Sequence, residues 1–186
     1  DNIITPLDAF ISYSIREKIQ KVYYLLPDEC IQWIQDNGGP RNVEDKPEIV
    51  VVGFDKELTY ERLQKASVLI NSGVPYFLTH IDLACPTSEG PIPDCGAIGK
   101  LIENVTQIKS KMHFGKPGDL MKRHILAIMN SLQLRTSRSL FAGDRLNTDM
   151  ELGKELGIDT LLIGPEQNTS CTYNFSKLSD FLKSQI

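Results

Sequence analysis

Short β-rich runs alternate with amphipathic helical runs along most of the chain. Residues 5–19 predict a helix: Thr5 is a good N-cap, Pro6 suits the first helical position, and Asp8 holds the capping-box position. Leu7, Phe10, Ile11 and Ile15 then share one face. Val22–Leu26 reads as a buried strand, and Asp28 opens a short helix with Ile31 and Ile34 inward, ended by Gly38-Gly39. Glu48–Gly53 carries the unbroken Ile-Val-Val-Val run of a strand buried on both faces. Thr59 starts a helix with Leu63, Ala66 and Ile70 inward, stopped by Gly73, and Val74–Leu78 is the next strand. The stretch from Cys85 to Gly96 holds three prolines and two glycines, which excludes regular structure there.

The second half repeats the pattern. Ala97–Asn104 predicts a helix and Lys111–Phe114 a strand. A helix follows with Met121, His124, Ile125, Ile128 and Leu132 on one stripe, then a strand at Arg138–Ala142. A helix over Asp149–Leu156 ends at Gly157, Thr160–Ile163 is a strand, and Lys177–Lys183 a last helix. Repeated βα units imply a mostly parallel, helix-covered sheet.

Composition narrows the class. At 41% apolar and 24% charged, the 186 residues have the make-up of a globular domain, which excludes disordered and fibrous classes. The net charge of −4 comes with no basic stripe, so no nucleic-acid partner is expected. No apolar run reaches membrane length and no signal peptide is visible, so no membrane partner is expected either. Cys30, Cys85, Cys95 and Cys171 form no Cys-x-x-Cys pair and read as reduced thiols of a cytoplasmic protein; Cys85 and Cys95 bracket the Pro/Gly loop and could meet, but nothing requires it.

Two polar segments interrupt the βα alternation at strand ends. One is Gly115-Lys116-Pro117, the other Gly143-Asp144-Arg145-Leu146-Asn147-Thr148-Asp149. Ligands of open α/β sheets bind outside these carboxyl ends, and the two strands are expected to be neighbours. A lysine and two carboxylates converging there suit a phosphate ester and a divalent ion. Lys116 offers a compact cation to phosphoryl oxygens. Asp144 and Asp149 offer hard oxygen ligands to Mg2+, directly or through water. Gly143 is expected to let the backbone turn without steric cost, and Arg145 to contact a phosphate or carboxylate, or brace the loop.

These segments resemble the third and fourth motifs of haloacid dehalogenase (HAD) superfamily phosphatases, in the branch of NagD, p-nitrophenyl phosphatases and pyridoxal phosphate phosphatase. Val50–Tyr60, Thr79-His80-Ile81-Asp82, and Pro86-Thr87 through Gly90–Ala97 resemble landmarks of that branch's cap domain. The resemblance implies a parallel Rossmann-like α/β core with an inserted α/β cap: residues 1–16 leading into the cap, 17–108 the cap, and 109–186 the C-terminal half of the core. It implies Mg2+-dependent hydrolysis of small phosphate monoesters through a phospho-aspartyl intermediate. Lys116 would be catalytic, Asp144 and Asp149 would hold the metal, and His80 and Asp82 would select the substrate. It also admits a homodimer through the cap.

Such phosphatases carry an Asp-x-Asp-Gly loop whose first aspartate is the nucleophile, and these residues contain none. On the resemblance, roughly 70–80 residues bearing it are expected upstream of Asp1, and the 186 residues alone are expected to be inactive. Two alternatives stand beside this reading. One is a non-catalytic phosphate- or metal-binding remnant. The other is a compact phosphatase using Asp55, which follows strand 48–53 in Phe54-Asp55-Lys56-Glu57-Leu58-Thr59, with Thr79 as its second motif.

Overall fold

The computed structural model of the chain describes residues 3–185. They form an α/β protein with parallel sheets, divided into two compact units, one ending at Gly115 and one beginning at Lys116.

The first unit runs α1 (Pro6–Arg16), β1 (Lys21–Leu25), α2 (Asp28–Asp36), β2 (Arg41–Asn42), β3 (Ile49–Val52), α3 (Tyr60–Asn71), β4 (Tyr76–Leu78), β5 (Ala84–Cys85), β6 (Ile92–Pro93) and α4 (Cys95–Thr106). The capping box of α1 forms as expected: the Thr5 amide donates to Asp8 Oδ2 at 2.7 Å, and the Asp8 amide donates to Thr5 Oγ1 at 3.4 Å. A parallel sheet of order β2-β1-β3-β4 carries the unit. Period-2 alternation sorts its side chains. Tyr23, Leu25, Val50, Val52, Tyr76 and Leu78 face Ala66 and Ile70 of α3 and Cys95, Ile98 and Ile102 of α4. Against the opposite face, Phe10 of α1 stacks edge-on to Tyr24 and to Phe114, with ring centroids 6.0 and 5.0 Å apart. β3 is buried throughout, as its Ile-Val-Val-Val run requires.

Several expectations are corrected here. Ile15 is 61% exposed, because α1 turns only the Phe10 side to the sheet. Lys111–Phe114 is not a full strand. It lies along the edge of β4 through one parallel bridge, Leu78 to His113, with the Lys111 amide donating to Tyr76 O and the Phe114 amide to Leu78 O. It therefore pairs with β4 in the first unit. The Pro/Gly stretch holds a minimal antiparallel hairpin, β5–β6, closed by reciprocal bonds between Thr87 and Gly90. Strands of two residues tolerate Pro93, since little ladder is lost.

His113 sits in this edge segment and donates from Nδ1 to Gly115 O at 3.1 Å. Burial lowers its pKa from 6.5; the bond to Gly115 opposes the shift and the charge of His80 adds to it. The unfolded chain therefore takes up this proton first as pH falls. The stability linked to neutral His113 is complete above pH 6.5 and is lost as pH drops below it. The urea midpoint of this unit should fall between pH 7 and pH 5, and the fall should be shallower in His113→Gln. Identical pH profiles in the two proteins would remove the linkage.

The second unit runs α5 (Asp119–Ser131), a 3-10 turn (Thr136–Arg138), β7 (Leu140–Gly143), a π-turn (Leu146–Met150), α6 (Glu151–Glu155), β8 (Asp159–Ile163), β9 (Tyr173–Phe175) and α7 (Leu178–Ser184). Its parallel sheet has the order β7-β8-β9. The core of β8 is buried, whereas Leu140 of β7 is 40% exposed. Among the described residues β7 pairs only with β8. The expected stripe of α5 is shifted: Leu120, Met121 and Met129 are its buried residues, and Leu132 caps the helix end, 63% exposed. The helix expected at Asp149–Leu156 starts earlier, with a wide first turn in which the Met150 amide reaches back five residues to Arg145 O.

Candidate active site

Lys116, Asp144 and Asp149 all belong to the second unit. β7 ends at Gly143, Asp144 follows it, and the π-turn then carries Asp149 back across the strand end. Lys116 Nζ donates to Asp149 Oδ1 at 2.5 Å. The Arg145 amide donates to Asp149 Oδ2 at 3.3 Å. Asp149 is 5% exposed, so its charge is desolvated and its two oxygens are matched by a cation and a backbone amide.

Gly143 is required by this packing. A Cβ there would lie 2.4 Å from Asp149 Cβ and 2.5 Å from Asp149 Cγ. The expectation that Gly143 serves the backbone turn is corrected, since it is not among the positive-φ glycines. Its missing side chain makes room for the carboxylate. Arg145 contributes its backbone amide to that same carboxylate.

Asp144 is exposed just past the end of β7 and takes no hydrogen-bond or ion-pair partner among the described residues. The chemistry of an exposed carboxylate at Asp144 suits a hard divalent cation. Of the two aspartates, Asp144 is the one open to such an ion. Asp149 has both oxygens committed, to Lys116 and to the Arg145 amide.

His80, Asp82 and Asp94 form a separate cluster in the first unit, their ligating atoms within 4.8 Å of one another. His80 Nε2 meets Asp94 Oδ1 at 2.7 Å, and His80 Nδ1 meets Thr79 Oγ1 at 2.9 Å. Asp94 also caps α4, accepting from the Cys95 amide at 2.6 Å. The sequence reading missed Asp94; an aspartate directly before the small-residue helix start Cys95-Gly96-Ala97 was the available signal. Asp82 stands at the start of the same loop, and its backbone oxygen accepts from the Gly96 amide at 2.8 Å.

Asp55 is built into the fold. Its side chain is wholly buried, Oδ2 accepts from Arg62 Nη1 at 2.8 Å, and Oδ1 accepts from the Glu57 amide at 2.8 Å. The same guanidinium donates through Nη2 to Leu26 O. The pair thus ties the ends of β1 and β3 to α3. A nucleophile needs an accessible lone pair, and Asp55 offers none. All four cysteines are free thiols; Cys95 is fully buried, and burial raises its pKa.

A family model described as HAD-hydrolase-like matches residues 113–176. The 5'-nucleotidase YutF of Bacillus subtilis is 28% identical over 167 residues, covering 88% of this chain and 62% of that protein. An acid sugar phosphatase of Staphylococcus epidermidis is 26% identical over 162 residues, covering 87% and 61%. The chain thus spans less than two thirds of the length of these relatives. Among solved structures, the 4-nitrophenylphosphatase of Thermotoga maritima matches with a TM-score of 0.87 at 32% identity, over 98% of this chain and 72% of that one. A p-nitrophenyl phosphatase from Archaeoglobus fulgidus matches with a TM-score of 0.82 at 25% identity, over 96% and 73%. The fold, the Gly-Asp-Arg turn with its buried aspartate, and these likenesses agree: the chain belongs to the HAD superfamily, in the branch of NagD and the p-nitrophenyl phosphatases.

Proposed function

We propose that the chain carries the lysine and metal motifs and the cap of a Mg2+-dependent phosphatase of small phosphate monoesters. The observation behind this reading is the Lys116–Asp149 pair, seated on Gly143 beside the open carboxylate of Asp144. In this reading Asp144 holds the metal directly, and Asp149 anchors Lys116 and reaches the metal only through water. When bound, Mg2+ would neutralise charge on the phosphoryl group. Lys116 would add a fixed cation beside the phosphoryl oxygens.

The nucleophile would come from an Asp-x-Asp-Gly loop outside these residues. Its carboxylate oxygen would form a bond to phosphorus while the ester P–O bond breaks, and the leaving alcohol would take up a proton. Water would then cleave the acyl phosphate. Residues 17–108 would form the cap that closes over the site and reads the leaving group, and residues 109–186 the C-terminal half of the core. The four free thiols suit a reducing compartment such as the cytoplasm. No helix among the described residues is long and apolar enough to cross a membrane.

The test is hydrolysis of p-nitrophenyl phosphate by the protein carrying this chain together with its Asp-x-Asp-Gly loop, with Mg2+ and after chelation. The coding sequence ahead of Asp1 tests whether that loop is present.

Partnership with a second copy has a surface to use. Tyr60, Leu63, Gln64 and Val68 of α3 line a groove of about 540 Å3 with Leu101 and Val105 of α4. Tyr60 is 81% exposed and Val105 67%, and no charged side chain lines the groove. A two-fold contact places each patch against itself, so an uncharged patch avoids self-repulsion. The mass by light scattering should be that of a dimer and should halve in Val105→Glu. A monomeric unsubstituted protein would discard the proposal.

A further inference from the structure

His80, Asp82 and Asp94 all lie in the first unit, whereas the lysine and metal motifs belong to the second. Two carboxylates meet one imidazole there, with ligating atoms within 4.8 Å of one another. Asp94 is buried, and His80 and Asp82 are half-buried, so water only partly solvates the acidic charge. Imidazole nitrogen joined to carboxylate oxygen is a donor set for Zn2+ and its transition-metal neighbours; Mg2+ prefers oxygen ligands.

The backbone already holds these groups together. The Gly96 amide donates to Asp82 O at 2.8 Å, and the Asp94 amide donates to Leu83 O at 3.1 Å. The loop after β4 is thereby bonded to the start of α4. The two main chains touch, since a methyl group at Gly96 would lie 2.3 Å from Ile81 O. The Asp94 carboxylate is itself aimed, because Oδ1 accepts from the Cys95 amide at 2.6 Å.

The ring is aimed as well. A metal on Nε2 requires the ring hydrogen to sit on Nδ1. Nδ1 lies 2.9 Å from Thr79 Oγ1, which lies 3.6 Å from Cys95 Sγ, and the Cys95 thiol donates to Val52 O at 3.3 Å. With the Thr79 hydroxyl turned to Cys95 Sγ, its oxygen accepts from Nδ1–H, and the chain of donors ends on a main-chain carbonyl. Every hydrogen in that chain points away from Nε2, whose lone pair then faces Asp94 Oδ1 at 2.7 Å. Two lone pairs that close need a cation between them. Without a metal, the Thr79 hydroxyl turns to Nδ1 and a hydrogen on Nε2 serves Asp94 instead.

We infer that His80, Asp82 and Asp94 form a binding site for a zinc-type divalent ion. The ion takes the place of the hydrogen between His80 Nε2 and Asp94 Oδ1, Asp82 supplies a third ligand, and water completes the shell. Ligands of a tetrahedral zinc lie about 3.3 Å apart, so Nε2 and Oδ1 separate by about 0.6 Å while Asp82 closes in. The bound ion ties the exit of β4 to the start of α4 and stabilises the first unit. The site is complete within that unit and does not rest on the reading of Lys116 or Asp144.

The test is calorimetric titration with Zn2+, in excess Mg2+, of the untagged chain carrying Asp144→Asn, which removes the open carboxylate of the second unit. One Zn2+ should bind per chain and raise the melting temperature. His80→Ala and Asp82→Asn should each weaken binding at least about tenfold. Should His80→Ala fail to fold, the histidine nitrogen resonances of the unsubstituted chain decide: Zn2+ should move the His80 Nε2 signal and leave the His124 ring unmoved. No binding, binding at full strength in either folded variant, or a Zn2+ response at His124 in place of His80 would overturn the inference.

Discussion

Replacing Lys116 by alanine should lower kcat for p-nitrophenyl phosphate about a thousandfold, more than any other single change outside the metal site. Lys116 is bonded to Asp149, whose carboxylate holds its ammonium group at 2.5 Å. Removing one preorganised charge aimed at a developing phosphoryl charge typically costs about 10²–10³ in rate. Here a second loss adds to it, because Asp149 is left buried with an unmatched charge. The variant should therefore also be less stable, and its Mg2+ dependence should shift. Lys116→Arg should not restore the rate, since a planar fork cannot replace a compact ammonium at that distance. Steady-state kinetics with a thermal melt checks both effects. Activity within tenfold of the unsubstituted protein would remove Lys116 from the chemistry.

Residues 1–186 expressed alone should be inactive, and limited proteolysis should digest the second unit first. The first unit keeps β3 buried on both faces and fills both sides of its sheet with helices. The second unit has a three-stranded sheet in which β7, among the described residues, pairs on one edge only, with Leu132, Leu134 and Leu140 exposed by 63%, 53% and 40%. A parallel strand bare on one side opens at little cost. A protected fragment ending near Gly115 is the expected product, identified by intact mass. Equal survival of both units, or phosphatase activity in this chain, would contradict the account.

Most of the first unit was legible in the sequence because its local signals agree with its tertiary packing. The capping pair Thr5 and Asp8 and the Ile-Val-Val-Val run each have one structural outcome. Signals that depend on neighbours were not legible. Ile15 and Leu132 fall on helical stripes, but nothing packs over them. Segment 111–114 has strand character, yet it meets β4 through one bridge, and which sheet an edge segment joins is set by tertiary packing. The strand β9 passed unnoticed because Tyr173–Phe175 is too short to show a period.

The chemistry followed the same division. Lys116, Asp144 and Asp149 were legible as residue types at strand ends. The pairing of Lys116 with Asp149 was not, because it depends on a π-turn that folds Asp149 over Gly143 and onto Lys116. The appeal of Asp55 came from its place after a strand, and only the fold shows Arg62 and the Glu57 amide taking both of its oxygens. His80 was legible as a polar group at a strand end, but Asp94, fourteen residues on, was not seen as its partner.

Whether Asp144 and Lys116 serve a metal-dependent phosphatase is read from p-nitrophenyl phosphate turnover by the protein with its Asp-x-Asp-Gly loop, unsubstituted and as Asp144→Asn, with Mg2+ and with chelator. Turnover should need Mg2+, vanish on chelation and return when Mg2+ is restored. Asp144→Asn should lower turnover at least about a hundredfold, since its open carboxylate is proposed as the direct metal ligand. Full turnover in the presence of chelator, or in Asp144→Asn, would contradict it.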